Sequence, residues 1–556
     1  MTFPWLALAV VYAAAMAVVF GRSTRLWVVA AAAGAAAITL FYWLYFPYTS
    51  DDAYISYRYA RNLAEGEGAV WNAGENVEGY TNFLWVGLLA GAHKLGADIV
   101  LTGRWLGFAL AAVAAAGTYA LTRSLLDGPL RERAALGAAL LLAACGAWSI
   151  WATAGLEAPL FATLTLGAVL LHLRERERGW LPASGAGWAL VAMTRPDGLV
   201  LAGVSGLFKV AETAQRSRAR RRDGDGGGIA EFDHVLYWCA AFLAVYVPYF
   251  VWRLTTYDHI FPNTYYAKVG SGIEQYDRGL AYVTSFLQEY PGWLLVLLPV
   301  AFLAPSVRRW PMAYVVALFA GWLGYTVYVG GDSLLRFRFM APVLPLFYAA
   351  LLAAAGGIFT SVRESARVSD RAVQVAGVLA LAAALLFSLQ PASDDGRGRM
   401  GEKQAVDDRA RIGRWLRDNV PDTTVVATVP IGAIGYESRL PLIDMLGITD
   451  EHIAHRDLPI GGGPAGHEKY DSEYVLDREP DIILLIDTLT PAAVNGAFYE
   501  SIRFSIVNAF KDMVENPRLE REYQMRAVEV EEDRWLNLLV RNEAEAVLRV
   551  TEAAPR

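Results

Sequence analysis

Two adjacent carboxylates, Asp51 and Asp52, follow Ser50 and open a segment in which Tyr54, Tyr57, Arg58 and Arg61 recur at i, i+3, i+4 and i+7. That spacing predicts a helix, ended by Gly66 and Gly68. A helix start accounts for one acid, because Ser and Asp cap N-termini and the dipole favours carboxylates in the first turn. Capping needs one of the two, not both. The same dipole keeps Asp51 ionised at neutral pH, the state required of a general base, a nucleophile or a metal ligand. The pair could therefore carry proton-transfer or substitution chemistry, with room for a divalent cation and no other cofactor motif beside it.

Groups suited to an anionic phosphate recur along the chain: Arg58, Arg195, Lys268, Arg336, Arg338, His467 and Lys469. Arg binds phosphate bidentately and Lys as a point charge. Tyr80, Asn82, Glu157, Tyr265 and Asp332 are further polar candidates in the same stretches. Each has a plainer reading. Arg195 could satisfy the carbonyls of a helix broken at Pro196, and Lys268, Arg336 and Arg338 could snorkel to an interface. Glu157 and Asp332 could be acids at span ends, and His467 and Lys469 could sit in a solvated loop.

The elements that must position these groups are membrane spans. The chain has 556 residues, 55% of them hydrophobic, and a mean hydropathy of +0.30, which points to the membrane class. Apolar stretches long enough to cross recur to about Leu389 and then stop. The predicted spans are 4–20, 26–46, 103–123, 134–152, 158–173, 183–194, 197–211, 234–253, 292–306, 311–328, 339–358 and 371–389, about twelve in all. Segment 83–97 is read as a helix lying along the interface. The first span lacks a basic n-region and a cleavage site, so it is expected to be retained.

Arginines sort the connections. Arg22 with Arg25, Arg123 with Arg131 and Arg133, Arg174 with Arg176 and Arg178, the run 216–222, Arg308 with Arg309, and Arg363 with Arg367 and Arg371 all fall on one side of a twelve-span chain. Positive-inside bias makes that side cytoplasmic. Both termini and the loops 47–102, 152–158, 194–198, 254–291 and 329–338 then face outward, as do all the candidates above. The basic run 216–222 reads as a topology signal touching membrane lipids, not as a nucleic-acid site.

Residues 1–390 thus form a membrane domain and 391–556 a soluble outward domain. In the latter, 423–429, 440–446 and 481–487 predict strands, and 402–418 and 497–516 helices, giving an α/β domain. Cys145 and Cys239 both lie in apolar runs and suggest no disulfide. Gly461, Gly463 and Gly466 match a dinucleotide fingerprint by letter, but Pro464 interrupts it and no strand-to-helix context surrounds it.

The Asp-Asp pair after an early span resembles the GT-C superfamily of polytopic glycosyltransferases. The longer string from Asp51-Asp52-Ala53-Tyr54-Ile55-Ser56-Tyr57-Arg58 to Val77-Glu78-Gly79-Tyr80-Thr81-Asn82-Phe83 resembles the terminal β-(1→2)-arabinofuranosyltransferase family of mycobacterial cell-wall assembly. So do Gly155-Leu156-Glu157, Thr194-Arg195-Pro196-Asp197-Gly198, Pro262-Asn263-Thr264-Tyr265-Tyr266-Ala267-Lys268, Gly330-Gly331-Asp332, Arg336-Phe337-Arg338-Phe339, Ile443-Asp444-Met445-Leu446-Gly447 and Gly466-His467-Glu468-Lys469. The resemblance implies catalysis at Asp51 and Asp52, with Asp51 slightly favoured, and a polyprenyl-phosphate sugar donor held by the basic residues. It further implies arabinofuranose transfer from decaprenyl phosphate to cell-wall arabinan of arabinogalactan or lipoarabinomannan, with net retention, in the cell membrane. A transferase of the same superfamily for mannose or another sugar, a lipid-linked sugar transporter, and an envelope binding protein are the alternatives. Transport predicts ionisable residues along the spans and inverted repeats, and neither pattern is evident.

Overall fold

The computed structural model describes residues 48–179, 181–222, 229–270, 272–290, 292–334, 336–366, 396–494, 502, 505 and 507–547. The predicted spans 4–20, 26–46 and 371–389, with Arg22, Arg25, Arg367 and Arg371, lie outside them.

The acidic pair opens α1 (Asp51–Glu65), whose C-cap is Gly66 in the left-handed region, φ 97°. Next come α2 (Phe83–Lys94), α3 (Ile99–Leu125), α4 (Arg131–Ala144) and α5 (Gly146–Thr153). They are followed by α6 (Ala158–Arg178), α7 (Ser184–Thr194), α8 (Gly198–Arg222) and α9 (Ile229–Tyr257). The membrane part closes with α10 (Asn263–Lys268), α11 (Ile273–Glu289), α12 (Arg309–Tyr328) and α13 (Leu344–Ala366).

Among the described residues four helices are long and apolar enough to cross a membrane, Ile99–Leu125, Asp233–Tyr257, Arg309–Tyr328 and Ala341–Ser365. The pair α4 and α5, bent by 64° at Cys145, makes a fifth if read as one span. The predicted span 292–306 is instead a 3-10 turn, Gly292–Val296, and a five-residue helix, Leu297–Ala301. Pro299 and Pro305 explain this, since an interior proline removes a hydrogen bond and clashes with the preceding turn. The 11 residues of α7 rise only roughly 16 Å, too little to cross alone. It pairs with α8 across a break at Arg195-Pro196. The 12 residues of α2 are likewise short, and pack Trp85, Val86, Leu89 and Ala90 inward.

Among the described residues, the arginine-bearing connections gather at one end of the bundle. Leu126 bridges Val307, and Arg308 N donates to Leu125 O over 2.9 Å. Arg308 also pairs with Glu177, and Arg216 donates to Arg176 O. Gly128 approaches Thr360 near the end of α13. The segments around Ser50, Gly79, Gly155, Arg195, Lys268 and Arg338 gather at the other end, beneath the soluble domain.

That domain starts with α14 (Gly396–Asn419) and holds a five-stranded sheet ordered β2-β1-β3-β5-β4. β1 (Val426–Thr428) runs parallel to β2 (Leu442–Asp444) and β3 (Ile482–Leu484), with Ala427 opposite Ile443 and Ile483. These are the three predicted strands, apolar because both faces are covered. α15 (Ile431–Ser438) crosses between β1 and β2. The hairpin β4 (Tyr523–Glu531) and β5 (Arg534–Arg541), turning at Asp533 with φ 56°, completes the sheet antiparallel to β3. Within the predicted helix 497–516, the described residues include a helix at Asn508–Glu515.

The two parts share one core, in which Tyr57, Tyr59 and Trp71 pack with Ile412, Leu416, Ile434 and Leu442. Asn72 bonds both ways to Leu442, donating to O over 2.8 Å and accepting from N over 3.1 Å. Asn263 Nδ2 donates to Gly447 O and Ile448 O at 2.8 and 3.0 Å.

Candidate active site

The geometry of α1 separates the two acids. Asp51 turns towards the soluble domain, where Gly432 N and Ala433 N each donate to its carboxylate over 3.1 Å. It caps the start of α15, with Arg409 3.8 Å away. Burial raises its pKa, which Arg409 and the two amides only partly offset. Asp52 turns the other way, into a cavity of about 830 Å³. Arg338 Nη1 donates to its Oδ2 over 2.6 Å. Burial opposes ionisation here too, but the Arg338 and Lys268 charges prevail and hold its pKa below the usual carboxylate value. Two neighbouring carboxylates pushed in opposite directions can take different roles. Asp51 thus sits at a joint between the domains, whereas Asp52 is the acid that faces the cavity.

Arg338 is bidentate to Asp332, Nε to Oδ2 at 2.7 Å and Nη2 to Oδ1 at 2.9 Å, so one guanidinium holds both Asp52 and Asp332. Arg195, at the break between α7 and α8, donates to Glu157 over 2.8 Å and to Asp197 over 2.8–3.1 Å. Glu157 in turn accepts from Asn82 over 2.8 Å, and Asn82 donates to Ser56 of α1 over 2.9 Å. A chain of polar contacts thus runs from α1 to the helix break. It satisfies a buried arginine that would otherwise be costly at that depth.

Lys268 differs from these arginines. It ends α10, lines the same cavity, and among the described residues its ammonium has no ion-pair or hydrogen-bond partner. Its aliphatic stem lies against Gly466, where an added Cβ would come within 3.0 Å of Cε. Gly466 also has φ 80°, so a side chain there is opposed twice. Burial lowers the Lys268 pKa, which Asp52 partly restores. Burial also lowers that of His467, with the Lys268 charge adding to it.

Tyr80 and Tyr265 line the cavity, bonded through their hydroxyls to Tyr257 at 3.1 Å and Tyr328 at 3.0 Å. Three predicted phosphate ligands are placed elsewhere. Arg58 is buried between the domains, donating to Trp71 O, Gly435 O and Leu440 O at 2.8–2.9 Å and to Asn72 at 3.2 Å. With all three guanidinium nitrogens bonded to the chain itself, it is a clamp. Arg336 takes a left-handed backbone, φ 60°, and pairs with Glu289 at 2.8 Å. Lys469 donates to Arg456 O within the soluble domain. Asp197, Arg253, Glu78 and Arg409 were not anticipated. Asp197 was readable as the acid two residues beyond Arg195. The Arg253–Glu78 pair, at 2.6 Å and buried, joins residues far apart in sequence and has no local signal. For a cation, Asp52 and Asp332 are already engaged by Arg338. The group among the described residues whose ligand atoms converge closely enough is His259, Glu451 and His455.

A family model described as a domain of unknown function (DUF8728) matches residues 398–538, from α14 to β5. The terminal β-(1→2)-arabinofuranosyltransferase of Mycobacterium tuberculosis is 28% identical over 279 residues, 47% of this chain and 42% of that protein, so the match spans less than half of the relative. ArnT from Cupriavidus metallidurans, solved bound to undecaprenyl phosphate, superposes with a TM-score of 0.54 at 14% identity, covering 92% of this chain and 98% of that one. The oligosaccharyltransferase of Archaeoglobus fulgidus in its apo form gives 0.51 at 12% identity, covering 90% and 73%. The chain shares its fold with these enzymes.

Proposed function

We propose that this membrane protein of GT-C fold is a glycosyltransferase that takes its sugar from a polyprenyl phosphate. The observation that carries the reading is the unpartnered Lys268 beside the Asp52–Arg338–Asp332 group, in a cavity whose other walls include Leu199, Val200, Tyr246, Phe250 and Tyr325 of the spans. A polyprenyl-phosphate sugar has this duality: an apolar tail and an anionic phosphodiester head that gains a second negative charge as the sugar leaves. In transfer, the bond from the anomeric carbon to the phosphate oxygen breaks and its electron pair leaves with the phosphate. Lys268 and the nearby guanidiniums stabilise that charge. The acceptor hydroxyl oxygen bonds to the anomeric carbon, and its proton passes to Asp52, whose second carboxylate oxygen is not engaged by Arg338.

The donor is decaprenyl-phosphate arabinofuranose and the acceptor the terminal positions of cell-wall arabinan. This specificity rests on the likeness to the mycobacterial arabinofuranosyltransferase. The soluble domain, joined to α1, holds the acceptor on the outward face. The test is purified protein with synthetic polyprenyl-phosphate arabinofuranose, the mannose equivalent, and an arabinan oligosaccharide. A β-(1→2)-arabinosyl product supports the proposal. Transfer of mannose alone would move the assignment to another sugar, and no transfer from either donor would end it.

A further inference from the structure

Away from the cavity, three metal-ligating side chains from two parts of the chain meet. Asp258 takes a left-handed backbone, φ 61°, directly after α9, and the next residue, His259, brings Nε2 to 2.9 Å from Glu451 Oε1. Glu451 opens the short helix Glu451–Ala454 and His455 is its C-cap, so they stand at i and i+4 and their side chains share a face. The His259 and His455 ring centroids are 5.0 Å apart. Tyr266 packs against both rings, at 5.7 and 4.2 Å, and restrains them. One ligand atom from each of the three residues lies within 4.8 Å of the other two. The His259–Glu451 hydrogen bond explains one imidazole. The exposed His455 ring nitrogens have no hydrogen-bond partner among the described residues, so they are free to ligate beside that pair.

We propose that His259, Glu451 and His455 form a binding site for a divalent transition ion of the Zn²⁺ class. Two imidazoles and one carboxylate suit that class, whereas Mg²⁺ and Ca²⁺ take oxygen ligands. Three protein ligands leave a fourth position for water or an oxygen of a bound glycan. His259 and Glu451 also line a second cavity of about 690 Å³, shared with Glu75, Asn76 and Asp258, which gives such a ligand room. His259 belongs to the connection between α9 and α10, and Glu451 and His455 to the soluble domain. A bound ion therefore staples the two parts beside the Asn263 bonds. The site is independent of which sugar is transferred.

The experiment uses full-length, tag-free protein in detergent, stripped with a chelator and titrated with ZnCl₂ or CoCl₂. The expected result is one equivalent bound, a tetrahedral Co²⁺ absorption band, and a rise in melting temperature with Zn²⁺. His259→Ala and His455→Ala should weaken binding tenfold or more and abolish the rise. Their metal-free melting and elution should match wild type, which separates lost ligation from lost folding. His172→Ala, at a buried histidine remote from the site, should leave binding unchanged. No stoichiometric Zn²⁺, equal affinity in both histidine variants, or saturation by Mg²⁺ or Ca²⁺ in preference to Zn²⁺ would overturn the site.

Discussion

Asp51 and Asp52 are neighbours in sequence with opposite surroundings, so the same conservative change should have different results at each. Asp→Asn keeps a hydrogen-bond acceptor but removes charge and basicity. At Asp52 it should lower turnover about 10²-fold or more while donor binding persists. At Asp51 it should cost less, within about tenfold in turnover, because the Asn oxygen can still accept from one of the Gly432 and Ala433 amides, which bond to separate carboxylate oxygens of Asp51. Single-turnover rates on both variants decide it, and loss at Asp51 with none at Asp52 would reverse the assignment. Lys268 makes a second case. Its pKa is lowered by burial, so the ammonium is present below that value and lost as pH rises through it. Donor KM should therefore rise on the alkaline side at a pH below the ordinary lysine range. Lys268→Arg should move that limb upward, and Lys268→Ala should raise donor KM roughly ten- to a hundredfold at neutral pH. The types and neighbourhood of Asp52, Lys268, Arg195 and Arg338 were legible in sequence because each sits in a short polar string between apolar runs. What Asp51 and Arg58 do was not, because the backbone groups of Gly432, Ala433, Gly435 and Leu440 that they bond lie more than 370 residues away.

At the scale of elements, α1 is held against α15 by Arg58, whose three backbone acceptors include Gly435 O and Leu440 O. Arg58→Met removes those bonds and leaves buried carbonyls unpaired, at a cost on the order of 3 kcal/mol. Hydrogen exchange across 431–442 should speed up and proteolysis of the soluble domain should quicken, while donor KM stays close to wild type. A raised donor KM with unchanged exchange would return Arg58 to the phosphate site. The three parallel strands were readable as short continuous apolar runs. The β4–β5 hairpin was missed because polar and charged residues of β4, Arg526, Glu529 and Glu531, alternate with apolar ones, and the longest apolar run in β5 is only Leu538-Leu539-Val540. The segment 292–306 misled by composition alone, since hydropathy counts apolar residues and is blind to where Pro299 and Pro305 interrupt them.

At the scale of the whole molecule, the arginine-bearing loops at one end and the cavity with the soluble domain at the other make a polarity that labelling can read. In a background without Cys145 and Cys239, single cysteines at Asn76 and Asp422 should react with an impermeant reagent on intact cells, and one at Asp127 only after lysis. The opposite pattern would turn the cavity towards the cytoplasm. The contact between Asp51 and α15 bears on how such a chain could be rebuilt over time. An added Cβ on Gly432 would come within 2.1 Å of Asp51 O. A replacement domain would have to present a free helix start with no side chain at the same spot, or the acid next to the reactive one would lose its seat. The membrane half and its soluble partner are thus not interchangeable parts, and recombination between distant relatives should succeed only when both halves are inherited together.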